Sequence, residues 1–323
     1  MRNLLRPLLI AAASVLAAAT AAGQTYPLKP IRVIVSTSPG GITDIAMRIL
    51  GMHITARTGQ PVIIDNRPGA SGNIALEAVA RTLPDGYTLG FANTGNIVIN
   101  PFMLPQMPFD PLTDLVPVGP IGTVPLFLVI NSQLPAKTLA EFIAYAKANP
   151  NTVNYAGSGA GTTPNLAGLE FIRRAGLKLV VVPFKGTTPA TAAVVAGDVQ
   201  ATFISMGPHM DLVHSGALRV LAAATPRREP YMPDTPTFAE LGFPGFETST
   251  WFSLFAPRGT PPEIVDQLNQ YTRSVHQDAD ARRRLDANFV DPLIMTASEF
   301  GALVKADAAK WERIVRQSGA KLE

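Results

Sequence analysis

The stretch Val33–Leu50, VIVSTSPGGITDIAMRIL, changes period in its middle, and that change limits what the chain can fold into. Val33, Ile34 and Val35 form a β-branched run that reads as a buried strand, whereas Ile45, Ile49 and Met52 recur at helical spacing. Between them, Ser38-Pro39-Gly40-Gly41-Ile42-Thr43-Asp44 offers two glycines for a tight turn and Thr43 or Asp44 to cap the first helical N–H groups. A strand, a glycine turn and a helix N-terminus together make an anion seat at the carboxyl end of a strand. Taken alone, the turn reads first as a plain β-to-α connection. It becomes a site only if other loops converge on it.

The first 23 residues carry Arg2 and Arg6, an apolar run Leu8–Ala19 and then small residues, the layout of a secretory signal peptide. Ala19-Thr20-Ala21 and Ala21-Ala22-Gly23 are the candidate cleavage sites, and the run is short for a membrane span. The expected product is exported to the periplasm, is soluble and starts near Gln24. With no cysteine there are no disulfides, no thiol chemistry and no lipidated cysteine as anchor. Lys and Arg number 27 against 24 Asp and Glu, and loss of the leader's two arginines lowers the formal excess from +3 to about +1. A near-neutral body of this kind does not suggest nucleic acid.

About 300 remaining residues suffice for one large or two medium domains. The pattern of strand, glycine turn and helix repeats at Pro61–Asp65 with Asn66–Asn73, and Tyr87–Phe91 reads as a third strand, favouring an α/β protein. Asn100–Pro117, rich in proline and acid, reads as a surface excursion. Gly119–Asn131 and Trp251–Pro257 are long apolar strands, each leading into a helix, Leu139–Ala148 and Glu263–His276. We read them as paired crossovers that bracket an insert, giving one lobe from residues 24–122 with 248–323 and a second from 123–247. Helices Ala279–Asp286 and Ser298–Gln317 would cover the first lobe.

Within the insert, Thr163-Pro164 and Thr188-Pro189 each place a capping residue before a proline that suits the start of a helix. Each loop then presents free N–H groups, and ordinary capping explains either one alone. Several such termini aimed at one dry point would hold a carboxylate without an arginine, in a cleft between lobes. Catalytic patterns are weak. His53, His209, His214 and His276 lack metal-ligand spacing. Ala156-Gly157-Ser158-Gly159-Ala160 lacks the spacing of a nucleophile elbow, and Gly40-Gly41 lacks the Lys-Ser/Thr of a nucleotide-hydrolase phosphate loop. Trp251 and Phe252 suit buried packing or a cleft wall.

SPGGITD, VIIDNRPGASGNIA, LPDGYTL, NPFMLPQMPFDPLTDLVPVG, NYAGSGAGTTPNLAGLEF, VVPFKGTTPA, LRVLAAATPRREPYMPDTPTFAELGFPGFE and FAPRGTP follow one another across nearly the whole mature chain. As a set they resemble the solute receptors of tripartite tricarboxylate transporters, the TctC-like or Bug family of periplasmic binding proteins. The resemblance implies a two-lobed Venus flytrap of type II, closing on a small organic acid held mainly by backbone groups and ordered waters. By position, the implied contacts are Pro39, Gly40, Gly41, Ile42, Thr43 and Asp44, the turn Ala70-Ser71-Gly72, the loop from Ser158 and Gly159 to Thr162 and Thr163, and Gly186, Thr187 and Thr188.

Thr37 and Ile42 depart from the family's usual aromatic or small residue and hydroxyl residue, and Ser205 stands where an Asp is common. The last departure weighs against an amino-acid ligand, whose ammonium would want that Asp, and suits a more anionic or more apolar one. The implied role is capture of the acid and its transient delivery to integral membrane transporter subunits, by a monomer without metal or cofactor and without catalysis. A sensory adaptor for a membrane kinase is the alternative. An exported hydrolase using Ser158 or Ser205 has no identifiable His–Asp partner.

Overall fold

The computed structural model describes residues 26–104, 107–184 and 186–318. The expected leader and its cleavage sites lie outside the described residues, as does Lys185. The first part of the chain forms β1 (Ile31–Val35), α1 (Ile42–Thr58), β2 (Val62–Asn66), α2 (Asn73–Ala80) and β3 (Thr88–Asn93). A π-helical turn, Gly95–Ile99, runs into a short α3 (Asn100–Met103), and β4 (Leu115–Pro125) follows. The middle supplies β5 (Phe127–Asn131), α4 (Leu139–Ala148), β6 (Asn154–Gly157), α5 (Thr163–Arg174), β7 (Val180–Pro183), α6 (Thr187–Ala196), β8 (Ala201–Ile204), α7 (Met210–His214) and β9 (Leu218–Ala223). The last part adds β10 (Ser249–Pro257), α8 (Pro262–Ser274), α9 (Ala279–Asp286), β11 (Asp291–Pro292) and α10 (Ala297–Ser318).

These strands make two sheets. One, ordered β11-β4-β10-β3-β1-β2, draws on both ends of the chain; the other, ordered β7-β6-β8-β5-β9, draws only on the middle. In the first, β1 runs parallel to β2 and β3, and β10 runs antiparallel to β3 and β4. Alternation along β1 explains its burial on both faces. Ile31, Val33 and Val35 pack with Met47, Leu50 and Ile54 of α1, while Ile34 joins Leu76 and Val79 of α2 in the cluster that also holds Trp311 of α10. Full burial of one such aliphatic side chain stabilises by roughly 1.5–3 kcal/mol. The second sheet is built around aromatic rings, with Phe238 and Phe246 centred 4.3 Å apart and Phe171 5.5 Å from Phe238.

Three expectations change. Gly119–Asn131 is two strands, divided at Leu126, which leaves the first sheet and enters the second. Val124 and Pro125 before it and Phe127 to Ile130 after it are all apolar and buried, so hydrophobicity carries no mark of the change of partner. The Asn100–Pro117 excursion is less irregular than its prolines suggest. Met103, Phe109 and Leu115 are buried in the cluster under α10, and β4 already starts at Leu115. On α1 the buried stripe runs through Met47, Leu50 and Ile54, and Met52 points out, 49% exposed.

The crossing is compact. Leu126 O accepts the N–H of Ala224 at 2.8 Å, and Ala224 O accepts that of Thr248 at 2.9 Å. The two passages between sheets thus lie side by side, and β4 and β10 pair from Pro125 opposite Ser249.

Candidate functional site

A cleft of about 430 Å³ opens between the two sheets and is lined from both. Its hinge side is apolar, formed by Val124, Leu126 and Phe252. Four α-helices start at it. α1 follows Gly41 with no side-chain cap, and Ile42 and Thr43 line the cleft. α2 follows Gly72, likewise without a side-chain cap. On the other sheet, Thr162 Oγ1 caps α5 by accepting the N–H of Asn165 at 3.4 Å. α6 follows Gly186 with no side-chain cap, and its first residue, Thr187, lines the cleft. Each terminus acts as about half a positive charge, favouring an anion by about 0.3–1 kcal/mol when exposed and up to ~2 when partly buried.

The turn before α2 is the most constrained part. Gly69, Ala70, Ser71 and Gly72 all have positive φ, at 123°, 45°, 53° and 89°. Such conformations cost of order 1–3 kcal/mol for a non-glycine residue and persist only when surroundings enforce them. Two amides from the π-helical turn and its extension do so, since Asn96 Nδ2 and Asn100 Nδ2 donate to Ser71 O at 2.7 and 2.8 Å. Asn96 Oδ1 in turn accepts from Ser36 Oγ at 2.6 Å and from Asn93 N at 3.2 Å. One buried amide thereby ties together the carboxyl ends of β1 and β3 and the strained turn. π-Helical turns are often found at functional sites.

No charged side chain lines the cleft among the described residues. Asp44 is buried, but its carboxylate accepts from Gly40 N at 2.9 Å, Arg48 Nε at 2.9 Å and Asn66 Nδ2 at 3.0 Å. Burial pushes its pKa up; the bonds from Arg48, Gly40 and Asn66 outweigh this and hold it below the ordinary value. Its charge fixes the first turn. Thr37 Oγ1 and Thr163 Oγ1, from opposite walls, are buried hydroxyls without a hydrogen-bond partner among the described residues.

Of the residues singled out from sequence, Thr37, Ile42, Thr43, Ser71, Gly72, Thr162, Thr163, Thr187 and Ser205 line the cleft. Pro39, Gly40 and Gly41 are exposed on the outer side of the first turn, where Gly40, at φ 81°, reverses the chain. Asp44 braces that turn, and Ala70 is exposed beside its own. Ser158 is fully buried behind the wall, and Gly159 at φ 100° shapes the loop. Thr163 is not the cap of α5, because the helix starts one residue earlier and Thr162 takes that place. Thr188 is not a cap either; it is exposed outside the cleft, and Gly186 precedes the helix.

The cleft also holds Ser36, Asn93, Gly95, Asn96 and Thr250, which motif reading missed. Their signal was positional, since Ser36 and Asn93 stand at the carboxyl ends of the parallel strands β1 and β3. Phe252 lines the cleft, while Trp251 points to the opposite face and donates from Nε1 to Asp307 Oδ2 at 2.8 Å. His209 Nδ1 lies 2.9 Å from the carbonyl oxygen of Ser205. No histidine hydrogen-bonds to the hydroxyl of Ser158 or Ser205 among the described residues. Among these residues, too, no cluster of three His, Asp or Glu side chains could hold a metal, and no helix is long and apolar enough to cross a membrane.

Comparison with known proteins gives a consistent result. Residues 46–320 match the family described as "Tripartite tricarboxylate transporter family receptor". Protein BugT of Bordetella pertussis is 36% identical over 307 residues, 95% of this chain and 94% of BugT. The structure of R. palustris Rpa4515 with adipate is 33% identical, covers 92% of this chain and all of that one, and superposes with a TM-score of 0.82. MatC from Rhodopseudomonas palustris with bound malate is 31% identical, covers 90% of this chain and all of that one, with a TM-score of 0.78. The two sheets, the paired crossing and the cleft between them are therefore those of a type II Venus flytrap, and the chain belongs to the tripartite tricarboxylate transporter receptor family.

Proposed function

We propose that this protein is a periplasmic receptor that captures a small organic carboxylate in the cleft and delivers it to a tripartite membrane transporter. The observation that carries the reading is the convergence of four helix N-termini, three without a side-chain cap, on a cleft lined by no charged side chain among the described residues. In such a site an anion is the solute that gains most, since fixed dipoles replace its water without reorganising. The free hydroxyls of Thr37 and Thr163 are suited to a carboxylate or to waters that bridge to it. Adipate and malate in the two related structures fit the same class.

The residues proposed to bind are those lining the cleft from both walls, with lobes of 24–122 plus 248–323 and of 123–247 closing on the ligand. Titration calorimetry against mono-, di- and tricarboxylates tests this. Saturable 1:1 binding without turnover is expected, and silence across a broad acid library would overturn it. Mass spectrometry of ligand carried through purification identifies the acid.

A further inference from the structure

A second large cavity, about 620 Å³, lies on the other face of the crossing. Thr123, Pro125, Ser249 and Trp251 line it, whereas their neighbours Val124, Thr250 and Phe252 line the ligand cleft, so the two spaces are separated by β4 and β10. Unlike the ligand cleft, this cavity is rich in charge. Within it, the carboxyl groups of Glu229 and Asp291 line the same wall space and act on each other electrostatically. Glu229 is on the segment tied to the second sheet by the Ala223–Pro236 and Phe238–Ala223 backbone bonds, and Asp291 is on β11 of the first sheet. The pair therefore spans the junction of the two lobes.

We propose that Glu229 and Asp291 form a proton-dependent latch between the lobes, so that the lobe arrangement seen here is favoured by acid and released toward alkaline pH. Two carboxylates in contact repel when both are ionised, and a hydrogen bond between them needs one shared proton. The neighbours decide which group keeps it. Glu229 as proton donor, then Arg282 of α9 and Arg227, favour the charged form of Asp291, while Asp286 of α9 opposes it; Arg227 favours the charged form of Glu229 as well, so Arg282 is the cation that tells the two apart. Burial pushes both carboxyls up, and Glu229, with Asp291 against it, reaches about 7. Tyr231, buried next to the pair, is pushed well above its usual range and stays neutral. The other charged groups lining the cavity are Glu247, Asp307 and Lys310; Asp307 is engaged by Trp251, and Lys310 by the carbonyl of Glu247.

The same junction is held by shape. The rings of Tyr231 and Phe289 are centred 4.6 Å apart, and Phe289 sits at φ 53°, which a bulky residue adopts only when its surroundings hold it there. A Cβ on Gly207 would stand 3.0 Å from Asn288 O. If the lobes part here, Glu229 and Asp291 return toward their ordinary values of 4.5 and 3.8. Between about pH 4.5 and 7 the paired arrangement therefore holds more proton. Its advantage is full below that window and lost as pH rises through it, by up to about tenfold in population per pH unit.

The test uses ligand-free protein, so it is independent of which acid the cleft takes. Because the chain has no cysteine, Leu83→Cys and Lys147→Cys, both exposed and one per lobe, accept a spin-label pair for distance measurement. The inter-lobe distance distribution is expected to shift between pH 5 and pH 8.5 in this background. It is expected to be flat in Glu229→Gln, where the amide donates without a titrating proton, and flat again in Asp291→Asn, which guards against a folding defect in the first. A distribution independent of pH in the parent, or the same shift retained in both variants, would overturn the latch.

Discussion

Gly72 and Asn96 meet so closely that a Cβ built on Gly72 would stand 2.4 Å from Asn96 Nδ2. The same amide holds Ser71 O and Ser36 Oγ, so it cannot withdraw without loosening the strained turn, which then keeps only the bond from Asn100. Gly72→Ala adds both the clash and an unfavourable φ, and is expected to cost roughly 1–3 kcal/mol of stability and to abolish carboxylate binding. Gly41→Ala is the contrast, because Gly41 has negative φ and its Cβ would meet only Ser38 O, at 3.7 Å. Thermal melts and calorimetry of the two variants check the pair of outcomes.

Thr163→Val keeps the shape of the wall and removes a buried hydroxyl that has no hydrogen-bond partner among the described residues. Stability is expected to hold or rise, because the desolvation cost of that hydroxyl goes with it. Affinity is expected to fall roughly 10–100-fold if the hydroxyl donates to the bound carboxylate, the value of a hydrogen bond to a charged group. Unchanged affinity would place the carboxylate elsewhere in the cleft.

Ser205→Asp introduces a carboxylate into a cleft that no charged side chain lines among the described residues. Two like charges 4 Å apart repel by about 4 kcal/mol at an effective dielectric of 20, enough for a loss of at least a hundredfold in affinity for an organic acid. Binding of acids that also carry an ammonium group is expected to suffer less or to improve. Calorimetry with a dicarboxylate and its amino derivative reads both effects.

Asp44 has a pKa below the ordinary 3.8 in the folded protein, so its contribution to stability is complete above that value and is lost as pH falls through the folded one. Asp44→Asn removes the charge that binds Gly40 N and Arg48 Nε. The variant is expected to melt lower at neutral pH, with the gap from the parent closing under acid. Denaturation curves at pH 7 and at pH 3 test the sign.

How much of this was legible in the sequence depended on whether a residue's role was local. α4 and α9 occupy the ranges expected of them because their starts are written beside them. Thr138 Oγ1 accepts the N–H of Glu141 at 3.2 Å, and Asp278 Oδ1 accepts those of Asp280 and Ala281 at 3.0 and 3.1 Å. Leu126 gave no such sign, since the switch between sheets is a matter of which distant strand pairs with which neighbour. In the cleft, glycine turns and Thr-Pro steps announced the loops. Asn96 did not announce itself, because an amide that serves Ser36, Ser71 and Asn93 acts through residues 3, 25 and 60 positions away. The offset at Thr163 and Thr188 has the same origin: proline is tolerated through the first helical turn, standing second in α5 and third in α6, so it marks the cap only to within one or two residues.

The single residue between β4 and β5 also says how the middle of the chain could be removed. The insert leaves and returns at adjacent points, where β4 and β10 already pair antiparallel. Deleting residues 125–249 and joining Val124 to Thr250 through an Asn-Gly turn would convert the crossing into an ordinary β-hairpin. The remaining chain would keep every strand of the six-stranded sheet, with one jaw of the trap standing on its own.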